Sequence, residues 1–282
     1  NVVWTLIIGT AGIFSLATLT VVGIGGYVAA AMNVYLGLPW PFMFLAGGLA
    51  GLVVGGFLAL PSTRLDGLYY ALLTMGFAEI CRVFVQQLKA LGPQNGSINN
   101  VDSFIPDDWM LQRPGILLGF AGAFVLMLLA LLTFRIVNSE RLGMLLQTAR
   151  EDEAFAEATG IDYRRARLHV FLISSAGLGV IGAFYAQFYG SISPAVFSLD
   201  QLMLLFAMIV IGGLGRAEGA AIGTAIVVLI DKGLIDLGPI RIILVAAIML
   251  AVTLLTNNGL AGAREQFRGW RRRKQSEARA RR

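Results

Sequence analysis

Runs of roughly 18 or more predominantly apolar residues recur along this chain, and nothing else in it limits the fold so strongly. At 1.5 Å per residue, a helix of that length crosses a hydrocarbon core about 30 Å thick. The apolar segments fall at roughly 2–32, 40–60, 67–91, 115–137, 168–189, 200–214, 217–235 and 239–256. Charged residues make up 14% of the 282, about half the share in a typical soluble domain, and mean hydropathy is +0.74. A soluble globular fold is excluded. The expectation is an all-α, polytopic helical membrane protein with about eight membrane segments, some broken or re-entrant. The segment at 2–32 is rich in Gly and Thr and too long for one crossing, so it is either a broken helix or the end of one element and the whole of another.

The formal charge of +5 is localised rather than spread. Residues 264–282 hold nine Arg or Lys against Glu265 and Glu277, directly after the last apolar segment. Such a tail reads as a cytoplasmic anchor beside anionic lipid rather than a nucleic-acid site. With the tail inside, alternation places Pro61–Asp66, Ser139–Arg167 and Gly212–Gly219 in the cytoplasm, each carrying Arg. Asn33–Pro39, the acidic Gly92–Pro114, Gly190–Leu199 and Asp231–Pro239 then lie outside. The domain reading is a transmembrane domain over 1–263, with a cytoplasmic loop at 139–167, and a basic cytoplasmic tail over 264–282. The chain opens on Asn1-Val2-Val3-Trp4, already apolar, from which upstream sequence is expected.

The loop Ser139–Arg167 is far longer than the two to eight residues that join packed helices. It is built of helix formers, with a glycine stop at Gly160 and a new cap at Asp162. A short helix lying on the cytoplasmic face, offered to a soluble partner, accounts for both length and composition.

No HExxH, GxSxG, GxxxxGK[ST] or CxxC pattern occurs, and no catalytic residue is assigned. Gly213-Leu214-Gly215-Arg216-Ala217-Glu218 has Glu where a dinucleotide loop needs its third Gly, so it reads as a tight turn. Cys81 stands alone in an apolar segment and His169 is the only histidine, so neither a metal nor a resident cofactor is expected. Glu79 and Arg82, three residues apart inside segment 67–91, share one helix face. Ionisable groups in a bilayer are costly. The two are either a pathway or gating pair, or a structural ion pair holding two helices in register. Gly47, Gly51 and Gly55, and again Gly215, Gly219 and Gly223, recur at four-residue spacing, a pattern expected to pack helices within one subunit.

Four stretches together resemble the LivM-type permeases of branched-chain amino-acid ABC importers. They are Ser15-Leu16 with Gly23-Ile24-Gly25-Gly26-Tyr27; Leu68-Tyr69-Tyr70-Ala71-Leu72-Leu73-Thr74-Met75-Gly76-Phe77-Ala78-Glu79-Ile80-Cys81-Arg82; Arg150-Glu151-Asp152-Glu153 with Ala156, Ala158, Gly160 and Ile161; and Gly212-Gly213-Leu214-Gly215 with Gly219 and Gly223. Ala17-Thr18 departs from the Gly-His common in that family. The resemblance implies a permease subunit in a bacterial inner membrane, C-terminus in the cytoplasm. Its implied partners are two ATP-binding subunits, a homologous permease, a periplasmic substrate-binding protein and the lipid bilayer. Arg150, Glu151, Asp152, Glu153, Phe155 and Gly160 would belong to the helix that couples to the ATPase. The substrate would be a branched-chain or related amino acid, with urea or short amides as alternatives in the same family. A self-sufficient carrier or channel using Glu79 and Arg82 is the rival from another class.

Overall fold

In a computed structural model the described residues are 1–62, 65, 67–88, 96–106, 113–139, 143, 146, 163–213, 215–234 and 240–255. Helices dominate them. A single turn, α1 (Val2–Thr5), continues as a π-helical turn over Leu6–Thr10 and then gives way to irregular backbone. The long helices are α2 (Thr18–Leu36), α3 (Trp40–Ser62), α4 (Gly67–Gln87), α5 (Arg113–Ser139) and α6 (Tyr163–Tyr189). Each contains a stretch long and apolar enough to span a membrane. Three shorter ones follow: α7 (Leu199–Gly212), α8 (Ala217–Gly233) and α9 (Ile240–Leu255).

All eight apolar segments are therefore helical, with two differences. The first is split, as its length required, because Gly12 takes a left-handed φ of 69° that ends the preceding turn. The fifth, 168–189, begins five residues early, at Tyr163, directly after the position at which the sequence places a cap.

The chain forms two compact units. In the larger, Leu6–Leu202, α2, α3 and α6 pack backbone against backbone. A Cβ added at Gly25 would lie 2.6 Å from the Gly179 Cα, and one at Gly47 would lie 2.7 Å from the Gly179 oxygen. Gly51 meets the same glycine, and Gly26 meets Gly182. Gly47, Gly51 and Gly55 thus pack helices within one subunit, as their spacing implied. The contacts run α2 parallel to α6, with α3 antiparallel to both. At one end of the bundle Tyr27 stacks on Phe197, with ring centroids 5.9 Å apart, over a core that includes Met43, Ile98 and Ile192.

That end also gathers three connections. Two-residue strands β1 (Ile98–Asn99) and β2 (Ser191–Ile192) pair antiparallel. The Asn33 amide donates to Asp102 Oδ2 at 2.9 Å and to the Leu38 carbonyl at 2.8 Å, and its oxygen accepts from the Asp102 amide. The connections after α2, after α4 and after α6 therefore lie on one side, the side-by-side grouping that alternation of the apolar segments requires. On the bundle's flank α5 leaves Ile116, Leu117, Phe120, Phe124 and Leu132 exposed, as suits a helix facing lipid.

The smaller unit is Asn1–Thr5 with Met203 onward. Trp4 packs against Phe206, and Asn1 donates to Thr224 Oγ1 at 2.6 Å. The turn from α7 to α8 uses Gly213 and Gly215, with φ of 107° and 88°. A Cβ at Gly223 would lie 2.5 Å from the Gly212 Cα, so this glycine run also serves close packing within the chain.

Candidate functional site: a broken helix among buried hydroxyls

Residues 11–17 have no regular hydrogen-bond ladder, yet they are buried or half-buried. Irregular backbone at membrane depth is tolerated only where protein or a water-filled cavity satisfies it. Here neighbouring helices reach in. Arg167, in the second turn of α6, donates its Nε to the Ala11 carbonyl at 3.0 Å. The Leu16 amide donates to Thr74 Oγ1 of α4 at 3.0 Å, and the Ala17 amide donates to Ser15 Oγ at 3.3 Å. Ser15 also hydrogen-bonds the Tyr70 side chain, whose hydroxyl donates to the Leu58 carbonyl of α3 at 2.9 Å. Thr10 Oγ1 donates to Asn138 Oδ1 of α5 at 3.2 Å. Elements from the whole bundle thus hold the break in place.

The ladder restarts at Val21, whose amide donates to the Ala17 carbonyl. Ala17 occupies the N-cap and has no side-chain oxygen to offer. The amides of Thr18, Leu19 and Thr20 are accordingly left without a partner among the described residues. The hydroxyls of Thr18, Thr20, Ser174 and Ser175 are likewise buried and unpartnered there. So many unsatisfied donors in an apolar bundle are unusual, since each costs about 1–3 kcal/mol when buried without a bond.

Of the residues singled out from sequence, Glu79 and Arg82 do meet. Arg82 donates Nη2 to Glu79 Oε1 at 2.6 Å and Nε to the same oxygen at 3.1 Å. Both belong to α4, so the pair does not tie two helices together, which corrects that version of the structural reading. Their side chains are 38% and 44% exposed. A lone charge at the centre of a bilayer costs about 3 kcal/mol, so replacing either residue by Ala should cut membrane accumulation severalfold. Exchanging the two, Glu79→Arg with Arg82→Glu, should restore accumulation, because the pair is rebuilt on the same face. Quantitative immunoblotting of membranes checks this. An exchanged pair that accumulates but does not transport would place the pair on the substrate's path. Arg150, Glu151, Asp152, Glu153, Phe155 and Gly160 lie outside the described residues, as does the basic tail.

The unpartnered buried hydroxyls of Thr18, Thr20, Ser174 and Ser175 were not identified from sequence. The only signals near the break were the length of the first apolar segment and the Gly and Thr within it.

Residues 2–256 match the family described as branched-chain amino acid transport system / permease component. The chain is 27% identical over 277 residues to the high-affinity branched-chain amino acid transport system permease protein LivM of Escherichia coli (strain K12), covering 90% of this chain and 65% of that protein. In Methanocaldococcus jannaschii it is 26% identical over 252 residues to a probable branched-chain amino acid transport permease protein LivM, covering 82% of this chain and 70% of that one. It is 28% identical over 213 residues to that organism's probable LivH, covering 72% and 66%. The chain therefore spans 65% of the length of the Escherichia coli relative. No solved structure matches it.

Proposed function

Because the chain belongs to the branched-chain amino acid transport system permease family, we propose that it is the membrane-spanning permease subunit of an ABC importer for branched-chain or related amino acids. The observation that carries the reading is the extent of the match, which takes in every described helix. In this reading a periplasmic binding protein delivers the substrate, and two ATP-binding subunits drive its passage. A homologous permease completes the pathway. The half-exposed Glu79–Arg82 pair supports that last partner, since a charged pair at membrane depth needs protein or water beside it rather than lipid. The basic tail and the loop at 139–167 lie in the cytoplasm of a bacterial inner membrane, where the loop meets the ATPase.

The decisive experiment is reconstitution of this chain with its companion permease and ATPase subunits in liposomes. Radiolabelled leucine is supplied with the binding protein. The expected result is leucine accumulation that needs both ATP and the binding protein. Uptake driven by an ion gradient without ATP would overturn the importer reading in favour of a carrier.

A further inference from the structure

We propose that the N-terminal end of α2 holds the carboxylate of the transported amino acid, through the amides of Thr18, Leu19 and Thr20 and the hydroxyls of Thr18 and Ser174. The assignment rests on the transport reading above and specifies where in the chain the substrate is gripped.

A helix start is a ready-made anion site, because its first amides point outward and its dipole carries about half a positive charge there. Discontinuous membrane helices aim such ends at anionic substrate groups. Most helix starts are capped by a side chain, but this one is not. It is a 19-residue helix, so the dipole is fully developed. Its three leading amides are unpartnered among the described residues.

The hydroxyls add a second, independent observation. Thr18 is 5% exposed and Ser174 is 1% exposed, and neither oxygen has a partner there. In a membrane helix a lone Ser or Thr ordinarily bonds back to a carbonyl one turn earlier, as Thr133 does to Leu129 and Thr224 to Ala220 in this chain. These two do not. Thr18 opens the helix, and the Cα–Cβ bond tilts toward a helix's N-terminus, which carries its hydroxyl to the break. Ser174 lies two turns beyond Arg167 on α6 and so on the same face, the face from which Arg167 reaches Ala11. Counted back along the parallel helices from the Gly26–Gly182 contact, Thr18 and Ser174 stand at the same level.

The group offers three amide donors and two hydroxyls able to donate, at the positive end of a dipole, which fits a carboxylate better than a cation. A substrate presented by its amino group or by an apolar side chain would leave those donors unmet. The site is closed over in this conformation, so the bundle must part at this end to admit a ligand. That end is opposite the Asn33–Asp102 side and adjoins the start of α6, where the loop at 139–167 arrives.

The test uses the complete importer in liposomes with its binding protein and labelled leucine. Two rates are read: initial uptake, and the ATP hydrolysis stimulated by loaded binding protein. Thr18→Val, which keeps the shape and removes the hydroxyl, should lower uptake about tenfold. Ser174→Ala should lower it about fivefold. Thr18→Ser, which keeps the oxygen, should stay within about twofold of the native importer. Stimulated hydrolysis should persist in all three. The proposal is overturned if Thr18→Val and Ser174→Ala both transport like the native importer. It is also overturned if hydrolysis falls in step with uptake, or if Thr18→Ser is as damaged as Thr18→Val, since the hydroxyl would then serve the fold. Ser174→Ala decides the matter alone if the valine variant does not reach the membrane. A native importer that takes up no amino acid defeats the transport reading itself, an outcome distinct from these.

Discussion

Replacing Gly179 by Leu should prevent the larger unit from assembling. Gly179 is the point at which three helices meet, with the main chains of Gly25, Gly47 and Gly51 all within reach of its backbone. A Cβ there would lie 2.9 Å from the Gly51 Cα, closer than side-chain atoms come to a backbone in folded proteins. Adding methylenes to an ordinary core costs about 1–3 kcal/mol, because neighbouring side chains rotate to make room. Here the neighbours are peptide groups, which have no rotamers to change, so the helices themselves must separate. We expect a loss of about 4 kcal/mol or more, a large share of the 5–15 kcal/mol typical of folded domains. The readout is accumulation in the membrane and thermal unfolding of the detergent-solubilised chain. Gly76→Ala in α4 is the control, since nothing lies within 4 Å of a Cβ there. It should be neutral or stabilising by up to about 1 kcal/mol. A Gly179→Leu chain that melts like the native one would show that the three helices are not in backbone contact.

The second large effect is expected at the loop 139–167. Replacing Glu151 and Glu153 together by Ala should abolish ATP-driven uptake while leaving membrane insertion unchanged. The motive is the sequence itself: a charged run, Arg150–Glu153, bounded by Gly160 and Asp162, in an otherwise apolar chain. Such a run has no reason to be buried in this subunit and every reason to meet a soluble one. Uptake and membrane accumulation are measured side by side. The same preparation carries a topological control in which a single cysteine replaces Thr159 in a Cys81→Ala background. It should resist an impermeant thiol reagent in intact cells and react once the membrane is opened. Full uptake by the double variant, or labelling of the Thr159 position from outside, would remove the loop from the coupling role.

Much of the architecture was legible in the sequence because membrane helices announce themselves by length and hydropathy. That the first segment is not one continuous helix followed from its excess length, and the packing of Gly47, Gly51 and Gly55 followed from their spacing. Three things were not legible. β1 and β2 are two residues each, too short for any alternation to register. The unpartnered hydroxyl of Thr18 was hidden for a different reason. A Thr in an apolar run satisfies itself locally more often than not, and sequence does not distinguish Thr133, which does so, from Thr18, which does not. That distinction depends on Thr18 being the first residue of its helix, with no turn before it, and only the position of the break determines that. The Glu79–Arg82 pair was visible from spacing, but whether it bridged two helices was not.

The bond from Arg167 to the Ala11 carbonyl has a mechanical consequence. Any displacement of the first turns of α6 has two outcomes. Either the Ala11 peptide travels with them, or the charge-assisted hydrogen bond between Arg167 and the Ala11 carbonyl is lost. The second is costly enough to make the first the easier route. The connection therefore ties the start of α6 to the unwound segment, and Gly12, the next residue, with its left-handed φ, is the joint beside it. A displacement at the start of α6 is thereby felt at the unwound segment, across a chain separation of 156 residues.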